Sequence, residues 1–266
     1  MSMDREAINH AFELRKSGQT EQALEVFRAQ IAVTDDRDDK AGLFMQEASC
    51  LAELGRHDEA REALKRARSA STKKWLSAYA DEQEALMSMG EGSYEESLRI
   101  FEGILSQYPF VKEDTAHRGL YESVQVERGI LLATLGRREE ALKVLAETLK
   151  FDLSQHERGT VIYNIGKCFL AVKDQDQARA AFEEVPMVCQ DRDCVLPSRF
   201  NLGMIYANEG RLGSALREFK WCEANGGADD LPAGVLYSCL ADVLEAAGVT
   251  AEAERYRNMV DPQVSD

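Results

Sequence analysis

A small residue followed four positions later by a bulky apolar one recurs along the chain. The pairs are Ala23/Phe27, Ala60/Leu64, Ser97/Phe101, Ala141/Leu145, Ala178/Phe182 and Ala215/Phe219, and a seventh small residue, Ala253, continues the series. Positions i and i+4 share one face of an α-helix, so each pair predicts a helix with a narrow buried stripe. The small residues are spaced 37, 37, 44, 37, 37 and 38 apart. Five positions before each stands a chain breaker or its substitute: Gly18, Gly55, Gly92, Gly136, Lys173, Gly210 and Gly248. A second apolar stripe precedes each breaker, as in Phe200, Leu202, Gly203, Tyr206 and Ala207 before Gly210. Each unit therefore predicts a helix, a glycine-capped turn and a second helix. Small residues such as Gly203 and Ala215 let the two axes approach to about 8–10 Å.

The expected fold class is all-α, an α-solenoid wound as a right-handed superhelix from about seven helix-turn-helix repeats with a mostly 37-residue period. One solenoid spans residues 1–266, with repeats at approximately 4–40, 41–75, 76–110, 111–155, 156–192, 193–230 and 231–262. The order of small and large positions resembles the tetratricopeptide repeat family. It is carried by Ile162, Ile165, Gly166, Phe169, Ala178, Phe182 and Pro186 in the fifth repeat and by Leu202, Gly203, Tyr206, Ala215 and Phe219 in the sixth. Tyr237, Leu240, Ala241, Leu244, Gly248 and Ala253 carry it in the seventh.

Departures from that family are expectations of their own. Its usual period is about 34 residues, and the surplus here predicts longer second helices or following loops, as in the acidic stretch 34–40. Two extra residues are expected in the turn 89–93. A further seven after Pro109 are expected to lengthen the first helix of the fourth repeat. His10, Glu47, a glutamate of the third repeat and Arg128 stand where the family usually has an apolar residue, which predicts a looser N-terminal half (1–150) and a tighter C-terminal half (151–266). At the last bulky position the seventh repeat has Arg257, with Glu254 and Arg255 beside it, a wettable end for the stack. Residues 261–266 leave no room for a separate capping helix.

Charge then narrows the partners. Asp and Glu total 47 against 32 Lys and Arg, a formal charge of −15, which repels phosphate backbones. The first residues enter a charged helical pattern directly, and the apolar run 130–135 is too short to span a bilayer. A cytoplasmic protein with reduced thiols is expected, with no membrane and no nucleic-acid partner.

No clustered chemistry emerges. His10, His57, His117 and His156 fall in separate repeats without metal-ligand spacing. The stretch 159–168 has six residues between its glycines and lies inside a helix, where backbone N–H groups are not free to cradle phosphate. The acidic run 35–39 lacks the glycine and final glutamate of a calcium loop and is expected to be a solvated loop. Cys189 and Cys194 flank four residues in a loop after Pro186, where two reduced thiols are favoured over a redox pair or half a metal site. Cys50, Cys168, Cys222 and Cys239 are expected in the core. Catalytic residues, metal ligands and cofactors are therefore expected to be none.

The resemblance places partner contacts on the first helix of each repeat. Those positions are Ile8, Phe12 and Arg15; Met45, Ser49 and Ala52; Val126, Ile130 and Ala133; Tyr163, Lys167 and Leu170; Phe200, Met204 and Ala207; and Ser238, Asp242 and Glu245. The third repeat is not placed, because of its insertion. The set is apolar for a solvent-facing groove, which suits a peptide or an amphipathic helix as partner. Packing of these residues among themselves, or a homodimer, would also cover them. Arg5, Arg15 and Lys16 at one end and Asp242 and Glu245 at the other could orient a bound segment. Asn201 matches the middle residue of the family's carboxylate clamp, but its neighbours do not, so recognition of an acidic C-terminus is not expected. The expected function is an interaction scaffold or adaptor. The alternatives are a regulatory or redox-sensing subunit using Cys189 and Cys194, and an RNA-binding helical repeat.

Overall fold

The computed structural model describes residues 3–226, 231 and 234–260. The described residues hold helices and no strand. They form two compact units, residues 1–135 and 136–266. Unit 1 contains α1 (Arg5–Lys16), α2 (Thr20–Val33), α3 (Arg37–Glu53), α4 (His57–Ala70), α5 (Lys74–Gly90), α6 (Tyr94–Gln107), the short α7 (Phe110–Glu113), a 3-10 turn (Thr115–His117) and α8 (Arg118–Thr134). Unit 2 contains α9 (Arg138–Thr148), α10 (Gln155–Ala171), α11 (Gln175–Val188), α12 (Arg192–Asn208), α13 (Leu212–Ala224), α14 (Val235–Ala246) and α15 (Thr250–Val260).

The 37-residue period has a simple composition. In α3–α4 a 17-residue helix and a 14-residue helix are joined by a three-residue turn, and three more residues lead to α5. The turn is a glycine-capped helix end: Arg56 N–H donates to the Leu51 carbonyl at 2.8 Å, and Gly55, at φ +73°, donates to Ala52 at 3.0 Å. Lys173 occupies the equivalent place after α10 at φ +64°, with Asp174 N–H donating to Phe169. A left-handed conformation costs a residue with a Cβ about 1–2 kcal/mol. Lys173→Gly is therefore expected to stabilise the protein by about 1 kcal/mol, read as a higher urea midpoint. An unchanged or lower midpoint would mean that the lysine turn carries no strain.

The small and large positions form the core as the periodicity predicts. Phe27, Leu64, Phe101, Leu145, Phe182 and Phe219 are wholly buried, as are the small residues from Ala23 to Ala215. Ser97 fits this series because its buried hydroxyl donates to the Ala85 carbonyl at 2.7 Å. Gly166 and Gly203 are the close-approach points: a Cβ there would lie 2.7 Å and 2.5 Å from the rings of Phe182 and Phe219. Successive hairpins stack through second-helix to first-helix contacts, α2 on α3 and α4 on α5 in unit 1, α11 on α12 and α13 on α14 in unit 2. First helices also touch, α3 with α5 and α10 with α12.

Several expectations change. The acidic stretch is not a loop: α3 begins at Arg37, and Asp36 caps it by accepting from the N–H groups of Asp38 and Asp39. Acidic groups in a first helical turn face free N–H groups and the positive end of the dipole, so they nucleate the helix. The surplus of repeat 3 is not in its turn, because α5 continues through Gly90 and the turn is again three residues. The insertion after Pro109 does not lengthen α8, which has the same 17 residues as α3; it forms α7 and the 3-10 turn. His117 from that turn stacks on Trp75 at 5.3 Å. Pro186 lies inside α11, which runs on to Val188. Arg257 is exposed as expected, but Tyr256 beside it is buried and faces Tyr237 at 5.8 Å, so the aromatic series extends to the last repeat. Residues 261–266 and part of the segment after α13 lie outside the described residues, as does the reading that no further helix follows.

Glu47, a polar residue at a family core position, and Glu218 on α13 are both buried against arginines. Glu47 is buried between α2 and α4, with its carboxylate 2.8 Å from Arg28 Nε and 3.4 Å from Arg66 Nη1. Glu218 is buried with Arg199 Nη1 at 2.7 Å and Arg217 Nε at 3.3 Å. Each carboxylate is thus met by two arginines.

Candidate functional site

Two clefts lie on first-helix faces, one in each unit. In unit 1 a cleft of about 430 Å³ is lined by Arg15 of α1, Ala48, Ser49 and Ala52 of α3, and Gln83, Leu86 and Met87 of α5. Its floor reaches Leu64, and Glu53 and His57 stand at its rim. Arg15 Nε donates to Glu53 at 2.6 Å, so the rim charges cancel. Leu86 keeps 38% of its surface exposed. The Gln83 side-chain carbonyl oxygen is buried with no hydrogen-bond partner among the described residues.

In unit 2 a cleft of about 250 Å³ is lined by Met204, Ala207 and Leu212, with Cys239, Asp242 and Val243 opposite. Met204 is 37% exposed, and the Cys239 thiol lies 3.5 Å from its sulfur. Cys239 therefore lines a cleft and is not the core residue that the sequence suggests, although partial burial still pushes its thiol pKa up. Cys50, Cys168 and Cys222 are buried as expected.

The sequence-derived contact residues divide by environment. Met45 and Val126 are buried. Phe12, Tyr163 and Phe200 are half-buried, each ring against its own repeat's core phenylalanine: Phe27 at 5.5 Å, Phe182 at 5.8 Å and Phe219 at 5.6 Å. Burial pushes the Tyr163 hydroxyl pKa up. Ile8, Ile130 and Leu170 are half-buried, and Lys167 is exposed, its ammonium 5.5 Å from the Tyr163 ring. The clefts collect Arg15 and Met204 from this set, with Ser49, Ala52, Ala207 and Asp242 from the same helical positions. Leu86 stands 37 residues after Ser49, in the repeat the sequence reading leaves unplaced. Carrying the glycine register from Gly55 to Gly92 would find it.

Three of the end charges are already engaged. Arg15 pairs with Glu53, Lys16 with Glu13 at 2.8 Å, and Glu245 with Arg257. Asn201 donates to the Pro197 carbonyl of its own helix at 2.8 Å, as a helix-surface amide does.

Cys189 and Cys194 are bonded to one another and buried, which corrects the expectation of two reduced thiols in a loop. Cys194 belongs to the first turn of α12. His156, on the first turn of α10, comes within 4.8 Å of both sulfurs. Thirty-three residues separate His156 from Cys189, so no local spacing reveals the group.

Comparison with known proteins accords with these repeats. Residues 41–71 and 160–186 match family models of the tetratricopeptide repeat. PilF of Pseudomonas aeruginosa superposes with a TM-score of 0.68 at 18% identity, over 86% of this chain and 93% of that one. A tetratricopeptide repeat protein from Parabacteroides merdae gives 0.63 at 15%, over 96% and 92%. PilW, a widely conserved type IV pilus biogenesis factor, gives 0.64 at 16%, over 85% and 95%. At such identities the structural likeness speaks for the fold alone. No curated protein matches the sequence. The chain therefore carries tetratricopeptide repeats, a kind of repeat that generally mediates protein–protein interaction.

Proposed function

We propose that the protein is an interaction scaffold that holds a peptide or amphipathic helix against the first-helix faces of its repeats. The observation that carries this reading is the unit 1 cleft: an apolar lining open to solvent beneath an ion pair that needs no further partner. Its volume lies at the low end of the ~300–1,000 Å³ range of ligand sites, enough for one or two anchoring side chains. Gln83 offers an unused acceptor to a donor carried in with them. The overall negative charge favours a protein partner over a nucleic acid. A second copy is the alternative occupant of the same faces. No catalytic role is proposed.

No described helix is long and apolar enough to cross a membrane. The Cys189–Cys194 bond is the kind of link that oxidising compartments preserve, and it weighs against a permanently reduced cytoplasmic setting. It favours, as a second reading, redox control of unit 2.

Peptides selected from a displayed helical library test the scaffold reading. Leu86→Asp or Met204→Asp is expected to weaken a selected peptide at least tenfold, about 1.4 kcal/mol, without loss of helicity. Both side chains are solvent-exposed, so the fold should tolerate the change. Affinity unchanged in both variants would remove these faces as the binding site.

A further inference from the structure

The group at the start of α10 has chemistry that an interaction scaffold does not use. His156 and Gly159 lie three residues apart on one face of α10. A Cβ at position 159 would lie 2.5 Å from Cys189 Cβ and 3.1 Å from Cys194 Sγ. The glycine, set in a helix interior where it costs about 1 kcal/mol relative to alanine, lets the two sulfurs rest directly on the α10 backbone beside the imidazole. Asp191, between the cysteines, places a carboxylate oxygen 3.0 Å from His156 Nδ1. A carboxylate in that position orients a ligating histidine and leaves Nε2 for the metal.

We propose that, when the disulfide is reduced, Cys189, Cys194 and His156 bind a soft divalent cation of the zinc class, oriented by Asp191. The imidazole and both sulfurs already lie within 4.8 Å of one another, and modest side-chain shifts on reduction bring them to the ~3.6–3.8 Å ligand–ligand spacing that ~2.1 Å bonds to nitrogen and ~2.3 Å bonds to sulfur give around a tetrahedral ion. A dithiol reductant gives two electrons and two protons to the Cys189–Cys194 bond and becomes a disulfide itself. The ion then displaces both thiol protons to solvent and is held by two thiolates and one neutral imidazole. Water fills the fourth position. Oxidation removes both thiolate ligands together, so disulfide and metal exclude each other. The three side chains join the start of α10 to the α11–α12 connection, and the exchange therefore retunes a joint between two hairpins of unit 2.

The full chain, reduced with a phosphine and desalted without oxygen, is titrated with cobalt(II). One equivalent is expected to bind with a thiolate-to-cobalt charge-transfer band and the visible bands of a tetrahedral site, both erased by one equivalent of zinc. The oxidised protein is expected to show neither. Cys189→Ser and Cys194→Ser should each abolish the charge-transfer band. His156→Ala should lower cobalt affinity more than tenfold, and Asp191→Asn by about 10–100-fold, with far-ultraviolet dichroism unchanged throughout. Cys50 and Cys222 are poor competitors, since burial pushes their thiols up to about 11 and about 12. A reduced protein without the band, a band that survives Cys189→Ser, or full affinity in His156→Ala would each overturn the assignment.

Discussion

Phe219→Ala is expected to cost about 3–5 kcal/mol, the range for removing a fully buried phenylalanine. The ring is wholly buried, lies 5.6 Å from Phe200 and faces Gly203, which has no side chain to collapse into the space left behind. Urea unfolding of the full chain should show the transition that carries unit 2 moving to lower denaturant. The same contact makes a coupled prediction. Gly203→Ala in the native background drives a methyl group to 2.5 Å from the ring and should cost about 1–3 kcal/mol. In the Phe219→Ala background the methyl enters the cavity, and that cost should vanish. Additive losses would show that the glycine does not face the ring.

The other large effect concerns charge. Replacing Arg28 and Arg66 together by methionine leaves Glu47 buried without a cation and is expected to destabilise the protein by about 3–5 kcal/mol. Adding Glu47→Met should recover most of the loss, because an apolar side chain of similar length replaces the stranded carboxylate. Failure of the triple variant to recover would mean that the arginines act through packing, Arg66 lying 4.1 Å over the Phe44 ring. Thermal unfolding of the single, double and triple variants at one pH separates these outcomes.

These residues also show how far sequence alone carries. The small and bulky positions were legible because a 37-residue period repeats one physical demand, a close helix approach filled by a ring. Glu47 broke the pattern and suggested a loose repeat. Its two arginines lie 19 residues away on either side, on neighbouring second helices, and only the hairpin geometry brings them together. Gly90 misled in the opposite way: a glycine two positions before Gly92 resembles a longer turn, yet α5 continues through it. Tyr256 was masked by a one-residue shift from 37 to 38, which put Arg257 in its place. The lining of the two clefts was half legible. Helical positions pointed to Arg15, Ser49 and Met204, whereas Phe12, Tyr163 and Phe200 belong partly to the core through ring contacts that no spacing encodes.

The central claim is that partners bind on first helices and not on the outer second helices. Methyl-labelled methionine tests it in one spectrum of the full chain. Met87 lines the unit 1 cleft and Met204 the unit 2 cleft, whereas Met187, 73% exposed on α11, reports the opposite kind of helix. Titration with a selected helical peptide is predicted to shift the Met87 or Met204 methyl resonance and leave Met187 in place. A shift at Met187 with both cleft methyls unmoved would contradict the account.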